Sequence, residues 1–391
     1  MSSKQNYNYC LKVRLIIFSI CILSKTYGEP YTPNLNDIIY TLPYQKHQLK
    51  INKLRKNYDK KKLDNNNLDK LLSLYITLGK KHSDPRLYGY AEALLKPYLK
   101  NKNLSNNNLI HWANILQHRH EFNLSLAILN TSRLKKSKKA TPFLMKAVIY
   151  AGKGEYKNGL KECKQLIFRA SHILTSTCIA LMNSHLGRLN ESYQFLKKIK
   201  AQQSRQTVQE SLFSIGTLAD MAFRLNSNEL ENYITEGLSL DSNDYYLLKL
   251  YVDYLLMNGR NEEALKLSTK HQKKSGMLVR KLLAIKNMNQ KLPEKSVNYL
   301  DLKFKRMILL GENAHLRELV LFYLKIKKNK SRAWILAKQN WEIQKEPIDF
   351  RMLLWAGLFN SKESYAFCLQ ALNEVKFEDF STELLIADIP K

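Results

Sequence analysis

Apolar residues recur at helical spacing from about Leu49 onward, in runs that are separated by short polar turns. Runs that alternate apolar and polar residues, which would indicate strands, are few. The pattern therefore predicts an all-α protein made of successive helix, turn and helix units. Upstream, three prolines between Glu29 and Pro43 interrupt any helix, so residues 29–48 are predicted to form an extended arm.

The helical pattern also repeats at a nearly fixed period. Turns within helix pairs are predicted at His120, Gly154, Gly187, Asn226 and Gly259, which gives steps of 34, 33, 39 and 33 residues. The longer step contains a polar insert at residues 201–206. Such a period is the sequence signature of stacked helical repeats. The predicted repeat domain covers residues 49–391, and its clearest repeats are residues 106–139, 140–172, 173–206 and 245–276.

Small residues occur about twelve positions apart within these repeats. The pairs are Ala113 with Ser125, Ala147 with Gly159, Ala180 with Ser192, and Val252 with Ala264. This spacing resembles the tetratricopeptide repeat, in which small side chains are needed where the two helices of a pair cross. The resemblance implies a right-handed superhelical solenoid of about six or seven antiparallel helix pairs. In the weaker repeat the same register places Glu231 opposite Ala219, so close packing is not predicted there.

Three segments carry a wider resemblance. They are Tyr31-Thr-Pro33 with Leu42-Pro43, the stretch from Asp84 to Ala93, and the stretch from Asn340 to Pro347. The chain from Tyr31 on is similar to a family of bacterial exported tetratricopeptide-repeat proteins. That similarity implies a helical repeat fold and export, and no defined reaction. Asp84 before Pro85, and Asp349 before Phe350, are predicted helix N-caps.

The first 28 residues have the order of a secretory signal peptide. Lys4, Lys12 and Arg14 precede an apolar run that ends at Leu23, and small residues follow as far as Gly28. We therefore expect a periplasmic or secreted protein. The apolar run is short for a permanent membrane anchor, although cleavage and retention both stay open. No later segment approaches the roughly 20 apolar residues that a crossing needs, so the mature chain is not expected to span a membrane.

Composition and charge narrow the choice of partner. Apolar residues make up 45% of the chain, which is enough to bury a core throughout its length. The net charge is +29, and since residues 1–28 hold four Lys or Arg and no acid, +25 remains on the rest. The basic residues are scattered at predicted helix ends, and Lys, Asn, Ile and Tyr are abundant together, which is typical of an AT-rich genome. We therefore expect no nucleic-acid partner, and polyanion binding is kept as an alternative.

The sequence contains no phosphate-binding loop, dinucleotide fingerprint, nucleophile elbow or Cys-x-x-Cys motif, so no enzyme activity and no cofactor are predicted. His120-Glu121 begins like a zinc-protease motif, but Leu124 stands where the second histidine belongs. His111, His118 and His120 are weak metal candidates, and they are the basis of an alternative metal-handling role. Packing or surface histidines are the favoured interpretation.

The inner face of the predicted solenoid is the remaining candidate site. The repeat register directs these residues inward: Asn107, Ile110, Asn114, Gln117 and His118 in one repeat, and Tyr246, Lys249 and Asp253 in another. Asparagines at such positions resemble clamps for the backbone of an extended peptide. The sequence thus predicts a non-enzymatic interaction or scaffold protein of the cell envelope, with a protein or peptide partner of unknown identity. A solvated inner wall without a ligand is the other interpretation.

Cysteine positions give one further prediction. Cys163 and Cys178 are equidistant from a turn expected near Ala170, so antiparallel helices should bring them face to face. In an oxidising compartment they would form a disulfide, and two buried thiols are the alternative. Cys368 has no predicted partner.

Overall fold

The computed structural model describes residues 46–56, 65–82, 84–99, 104–203, 206–311, 315–376 and 378–387. The chain divides into two compact units, residues 1–53 and 54–391. Three predictions lie outside the described residues: the signal peptide, residues 29–45 of the arm, and Tyr31-Thr-Pro33 with Leu42-Pro43 of the family resemblance. A helix already covers residues 46–48, at the end of the predicted arm.

Every long described element is helical, and no strand occurs within the described ranges. The helices are α1 (Lys46–Lys56), α2 (Asn65–His82), α3 (Pro85–Leu95), α4 (Asn106–His118), α5 (Phe122–Leu129), α6 (Ser132–Lys135), α7 (Thr141–Gly152), α8 (Tyr156–Lys164), α9 (His172–Ser184), α10 (Leu189–Gln202), α11 (Val208–Arg224), α12 (Leu230–Leu240), α13 (Tyr245–Met257), α14 (Asn261–Lys270), α15 (Ser275–Asn287), α16 (Glu294–Leu309), α17 (Leu316–Leu321), α18 (Lys330–Ile343), α19 (Pro347–Leu358), α20 (Lys362–Glu374) and α21 (Phe380–Ala387). A short 3₁₀ turn, Lys96–Tyr98, follows α3, and a π-helical segment, Phe322–Ile326, continues α17. None of the described helices has both the length and the apolar character that a bilayer crossing requires.

The predicted turns share one backbone conformation. Left-handed φ values occur at His120 (61°), Gly154 (74°), Gly187 (78°), Asn226 (52°) and Gly259 (69°). A residue in this region ends one helix and reverses the chain into the next. Asn289 and Lys328 take the same conformation between α15 and α16 and between α17 and α18. The period of helix and turn therefore continues beyond the repeats that were clearest in the sequence.

Small residues at the helix crossings are a packing requirement, as predicted. The Ser125 hydroxyl donates a 2.8 Å hydrogen bond to the carbonyl of Ala113 in the facing helix. A Cβ on Gly159 would lie 2.5 Å from the sulfur of Met182 and 3.3 Å from the Ala147 carbonyl oxygen. Since interiors are close-packed, a larger side chain at this position would push the helices apart.

Close packing was not predicted at Glu231, and its carboxylate accepts hydrogen bonds from Tyr251 and Arg260 of the next helix pair. One local prediction was wrong. Asp349 is not an N-cap. Helix α19 begins earlier, Glu346 caps it, and the Asp349 side chain accepts from the Glu346 backbone N–H at 3.0 Å in a capping box.

The C-terminal helices share a core rich in aromatic rings. Phe304 and Phe322 pack edge to face with ring centroids 5.3 Å apart, and Trp341 packs on Phe350 at 5.6 Å. Each fully buried ring contributes roughly 2–3 kcal/mol by removal of apolar surface from water. Trp341 is thus a packing residue.

Loops near the C-terminus return to turns of earlier repeats. The Lys345 amide donates to the Gly152 carbonyl at 2.7 Å, and the Tyr156 hydroxyl donates to the Lys345 carbonyl at 2.6 Å. Further along, the Glu378 carboxylate accepts from the Leu189 amide at 2.8 Å. The loops after α18 and α20 therefore rest on the turns after α7 and α9. The repeat period alone did not predict these contacts.

Candidate functional site

Helix α13 carries residues that were predicted to face a binding groove, and each of them meets a polar group on another helix. The Tyr246 hydroxyl donates to Asp220 Oδ1 on α11 at 3.1 Å. The Lys249 ammonium lies 3.4 Å from Glu318 Oε1 on α17. These contacts join the first helices of three different pairs, so α13 lies at the centre of a polar region.

Asp253, one turn further along α13, forms a two-pronged ion pair with Arg280 on α15. The oxygen–nitrogen distances are 2.6 Å and 2.8 Å, and the guanidinium is almost completely buried. Paired hydrogen bonds of this kind fix the geometry of both side chains. Asp253 therefore stabilises the α13–α15 contact and is not free to bind a partner.

The side chain of Tyr246 is half-exposed to solvent, although charged groups surround its hydroxyl. Its side chain is 49% exposed to solvent. Burial within the surrounding protein nevertheless raises its pKa well above the usual value, the carboxylates of Asp220 and Glu346 raise it further, and Arg317 opposes them. Tyr246 is therefore half-exposed while its hydroxyl lies among charged groups. We call Asp220, Tyr246, Lys249, Arg317 and Glu346 the inner polar surface.

Arg317 is held in place by a buried network. Its guanidinium donates to both carboxylate oxygens of Asp349, at 2.5 Å and 2.7 Å, and also to Glu346. Asp349 is fully buried and accepts a further bond from the Asn340 amide at 2.6 Å. The network ties α17, α18 and α19 together, which explains the polar residues in the Asn340 to Pro347 segment.

The predicted groove residues on α4 differ in their contacts and in their burial. Asn107 Oδ1 accepts from the Lys139 ammonium at 3.0 Å. Ile110 packs in part against the apolar cluster around Ala113, so it also contributes to the core. Asn114 and Gln117 are half-buried on the same helix. Residues of α4 therefore offer polar groups beside a packing residue.

His118 on α4 lies close to residues of other parts of the fold. Its ring stacks on Tyr88 with centroids 3.6 Å apart, and burial, together with the nearby His315, lowers its pKa to about 4. His315 in turn lies 4.0 Å from the Glu318 carboxylate, which contacts the α13 lysine. The start of α17 therefore lies near residues of both α4 and α13.

The three candidate metal ligands make different contacts. His111 Nε2 lies 3.0 Å from Asp69 Oδ1 on α2. His120, in the left-handed turn, stacks on Phe122, and burial followed by the charge of Arg317 lowers its pKa to about 4. Within the described ranges, no group of three or more His, Cys, Asp or Glu side chains is arranged to hold a metal. The Asp69 contact was missed because this residue precedes His111 by 42 positions.

The two cysteines that were predicted to face each other do so. Cys163 on α8 and Cys178 on α9 form a disulfide with sulfur atoms 2.02 Å apart and Cα atoms 5.5 Å apart. Cys368 on α20 is buried, and its thiol donates to the Leu353 carbonyl at 3.4 Å. Burial raises the pKa of the Cys368 thiol to about 12, so this residue is a poor nucleophile.

No protein-family model matches the sequence, and no curated protein matches it either. The inner polar surface is therefore interpreted from its own chemistry. Its carboxylates are already engaged, Asp220 by Tyr246 and Glu346 by Arg317. Groups of both charge signs beside a half-exposed ring are suited to hold a polar segment in one orientation.

Asp220, Arg317 and Glu346 were not among the predicted groove residues. Asp220 precedes Asp253 by one 33-residue step and occupies the same register position, so the repeat itself was a sufficient signal for it. Arg317 and Glu346 lie outside the clear repeats and reach this surface only through long-range packing. No sequence signal was available for these two residues.

Proposed function

We propose that this protein is a non-enzymatic interaction or scaffold protein of the cell envelope. In this proposal it is exported through residues 1–28, it belongs with the bacterial exported tetratricopeptide-repeat proteins, and it forms a right-handed solenoid of about six or seven helix pairs. It holds a segment of a partner protein on the inner polar surface. The observation that carries the proposal is the half-exposed Tyr246 ring at the centre of that surface.

The chemistry of the surface favours a polar peptide segment of mixed charge. Asp220 keeps carboxylate lone pairs for a basic side chain beside its bond to Tyr246, and Lys249 keeps ammonium donors for a carboxylate or a peptide carbonyl beside its contact with Glu318. The aromatic ring supplies contact area at little conformational cost, which is why tyrosine is common in binding sites. Because ion pairs orient these groups beforehand, a ligand loses less entropy on binding.

Site-specific photocrosslinking in cells tests the proposal. A photoreactive phenylalanine derivative replaces Tyr246 in one variant and Tyr90 in the other. Tyr90 is a matched control, because its side chain is 55% exposed but lies on α3, away from the inner polar surface. We expect one discrete crosslinked protein from position 246 and none from position 90. The same set of products from both positions would contradict the proposal.

A binding measurement then follows with the purified components. The segment of the captured protein that carries the crosslink is synthesised and titrated into wild-type and variant proteins. Asp220→Asn combined with Lys249→Gln should weaken binding by roughly tenfold or more, because two charge-assisted contacts are lost. Lys270→Gln, at an exposed lysine on α14, should leave the affinity unchanged. Equal affinities for all three proteins would contradict a role of the inner polar surface.

A further inference from the structure

Helix α16 is apolar on two opposite faces. Its buried face packs Leu300, Phe304 and Met307 into the C-terminal core. On the other face Leu302 is 70% exposed and Leu309 87% exposed. Exposed leucines are ordinary when they occur singly, but a row of them on one helix marks an interaction surface.

Six of the exposed residues, five on α16 and one at its C-cap, form a stripe beside the exposed Glu294, Asn298 and Lys305. At 3.6 residues per turn, its members fall within an arc of about 100° of the helix circumference. They are Lys295, Tyr299, Leu302, Arg306, Leu309 and Leu310, and we call them the α16 stripe. Four are apolar, two are basic and none is acidic. The stripe runs the length of the helix, about 24 Å at 1.5 Å per residue.

Further basic side chains flank the stripe. The Lys303 ammonium lies 5.9 Å from the Tyr299 ring centroid. The helix has two acids and four Lys or Arg residues; Glu294 is exposed beside Lys295, and Asp301 is paired with Lys305 at 3.0 Å and with Lys327 at 3.8 Å. The surroundings of the stripe are therefore positively charged, in a chain whose net charge is +29.

We propose that the α16 stripe docks on the surface of an anionic lipid bilayer. Leucine and tyrosine side chains would enter the boundary between headgroups and acyl chains, and the lysine and arginine side chains would reach the lipid phosphates. The helix would lie along the surface, since no described helix is suited to cross a bilayer. This role is independent of partner binding on the inner polar surface.

Other occupants fit the stripe less well. A second copy of the chain would bury Lys295 and Arg306 in an apolar interface to which the stripe itself contributes no acid. A nucleic acid would bind the basic residues but would leave the exposed leucines in water. An anionic bilayer satisfies both the apolar and the basic side chains at once.

The test compares wild-type protein with two double variants by co-sedimentation with vesicles. Vesicles contain phosphatidylglycerol with phosphatidylcholine, or phosphatidylcholine alone. Leu302→Ser with Leu309→Ser should reduce binding to the anionic vesicles by roughly tenfold or more, because two apolar side chains no longer insert. The matched control is Leu124→Ser with Leu384→Ser, which removes two exposed leucines elsewhere and should bind as wild type does.

A photoreactive phosphatidylglycerol in the same vesicles locates the contact directly. Peptide mapping should place the lipid adducts between residues 295 and 310. Adducts confined to other segments would overturn the proposal, and so would equal binding by all three proteins. Light scattering on the free proteins distinguishes self-association: if wild type is a dimer and only the α16 double variant is a monomer, the stripe belongs to a dimer interface and the proposal is wrong.

Discussion

The ammonium of Lys249 lies 3.4 Å from the carboxylate of Glu318, although the two residues are 69 positions apart in the chain. Both side chains are largely buried. Burial alone would raise the pKa of Glu318, but Lys249, with His315 and Arg280 nearby, lowers it to about 2. This ion pair fixes α17 against α13, and it therefore shapes the surface to which we assign partner binding.

Replacement of Glu318 by Gln should make stability depend less on pH. The folded-state pKa of about 2 is below the ordinary value of 4.5, so the carboxylate stabilises the fold above pH 4.5 and loses that contribution progressively toward pH 2. The variant should be less stable than wild type by about 3 kcal/mol at neutral pH, and the difference should shrink as pH falls below 4.5. Urea denaturation of both proteins between neutral pH and pH 2 measures this difference in stability. A difference that is independent of pH would contradict the assignment.

The small-residue spacing sets a helix register that singled out three polar or aromatic positions of α13. Tyr246, Lys249 and Asp253 all meet polar groups of other helices, as inward residues of a repeat would. What the register could not supply was the identity of those groups. Glu318 lies on α17, whose short apolar pattern does not match the repeat. Its contact with Lys249 could not be predicted, because contacts between distant segments depend on packing over the whole chain.

Two buried histidines should make the protein lose stability in mildly acidic solution. The pKa values of His118 and His120 are lowered to about 4, so the unfolded chain binds more protons between pH 6.5 and 4 and stability falls as pH falls through that window. The pair should account for about 2 kcal/mol after allowance for solvent screening. His118→Phe keeps the ring stacked on Tyr88, and His120→Asn tolerates the left-handed turn. The melting temperature of the double variant should depend less on pH than that of wild type. An unchanged dependence would contradict the assignment of the acid sensitivity to these two histidines.

Alkylation should distinguish the three cysteines that follow residue 28. In protein from an oxidising compartment that is denatured without reductant, we expect one alkylated thiol, at Cys368, because Cys163 and Cys178 are joined. After reduction all three should react. Loss of the disulfide in Cys163→Ala with Cys178→Ala should lower the free energy of unfolding by about 3 kcal/mol in the chain-entropy model. Full alkylation of Cys163 and Cys178 without reductant would show that the disulfide is not formed in that compartment.

The Arg317 network should contribute strongly to stability. Arg317→Met would leave the fully buried Asp349 carboxylate without its cation, and removal of one partner from a buried pair costs about 3–5 kcal/mol. Arg86→Met is the control, because Arg86 pairs with Asp84 at an exposed helix end, and little change is expected there. Chemical denaturation of both variants measures the difference. Similar losses in the two variants would contradict the role of the network in joining α17 to α19.

Two glycines in equivalent turns test whether the C-terminal loop rests on the earlier repeat. Gly154 and Gly259 have φ values of +74° and +69°, so alanine at either position should cost about 1 kcal/mol through backbone strain. A Cβ at Gly259 would meet nothing within 4 Å, whereas a Cβ at Gly154 would lie 2.9 Å from the Cβ of Lys345 in the loop after α18. Because that neighbour cannot move away without its backbone, Gly154→Ala should be the more destabilising variant by about 1 kcal/mol or more. The two midpoints of urea denaturation give the comparison directly. If the losses are equal, backbone strain explains both and the loop does not rest on this turn.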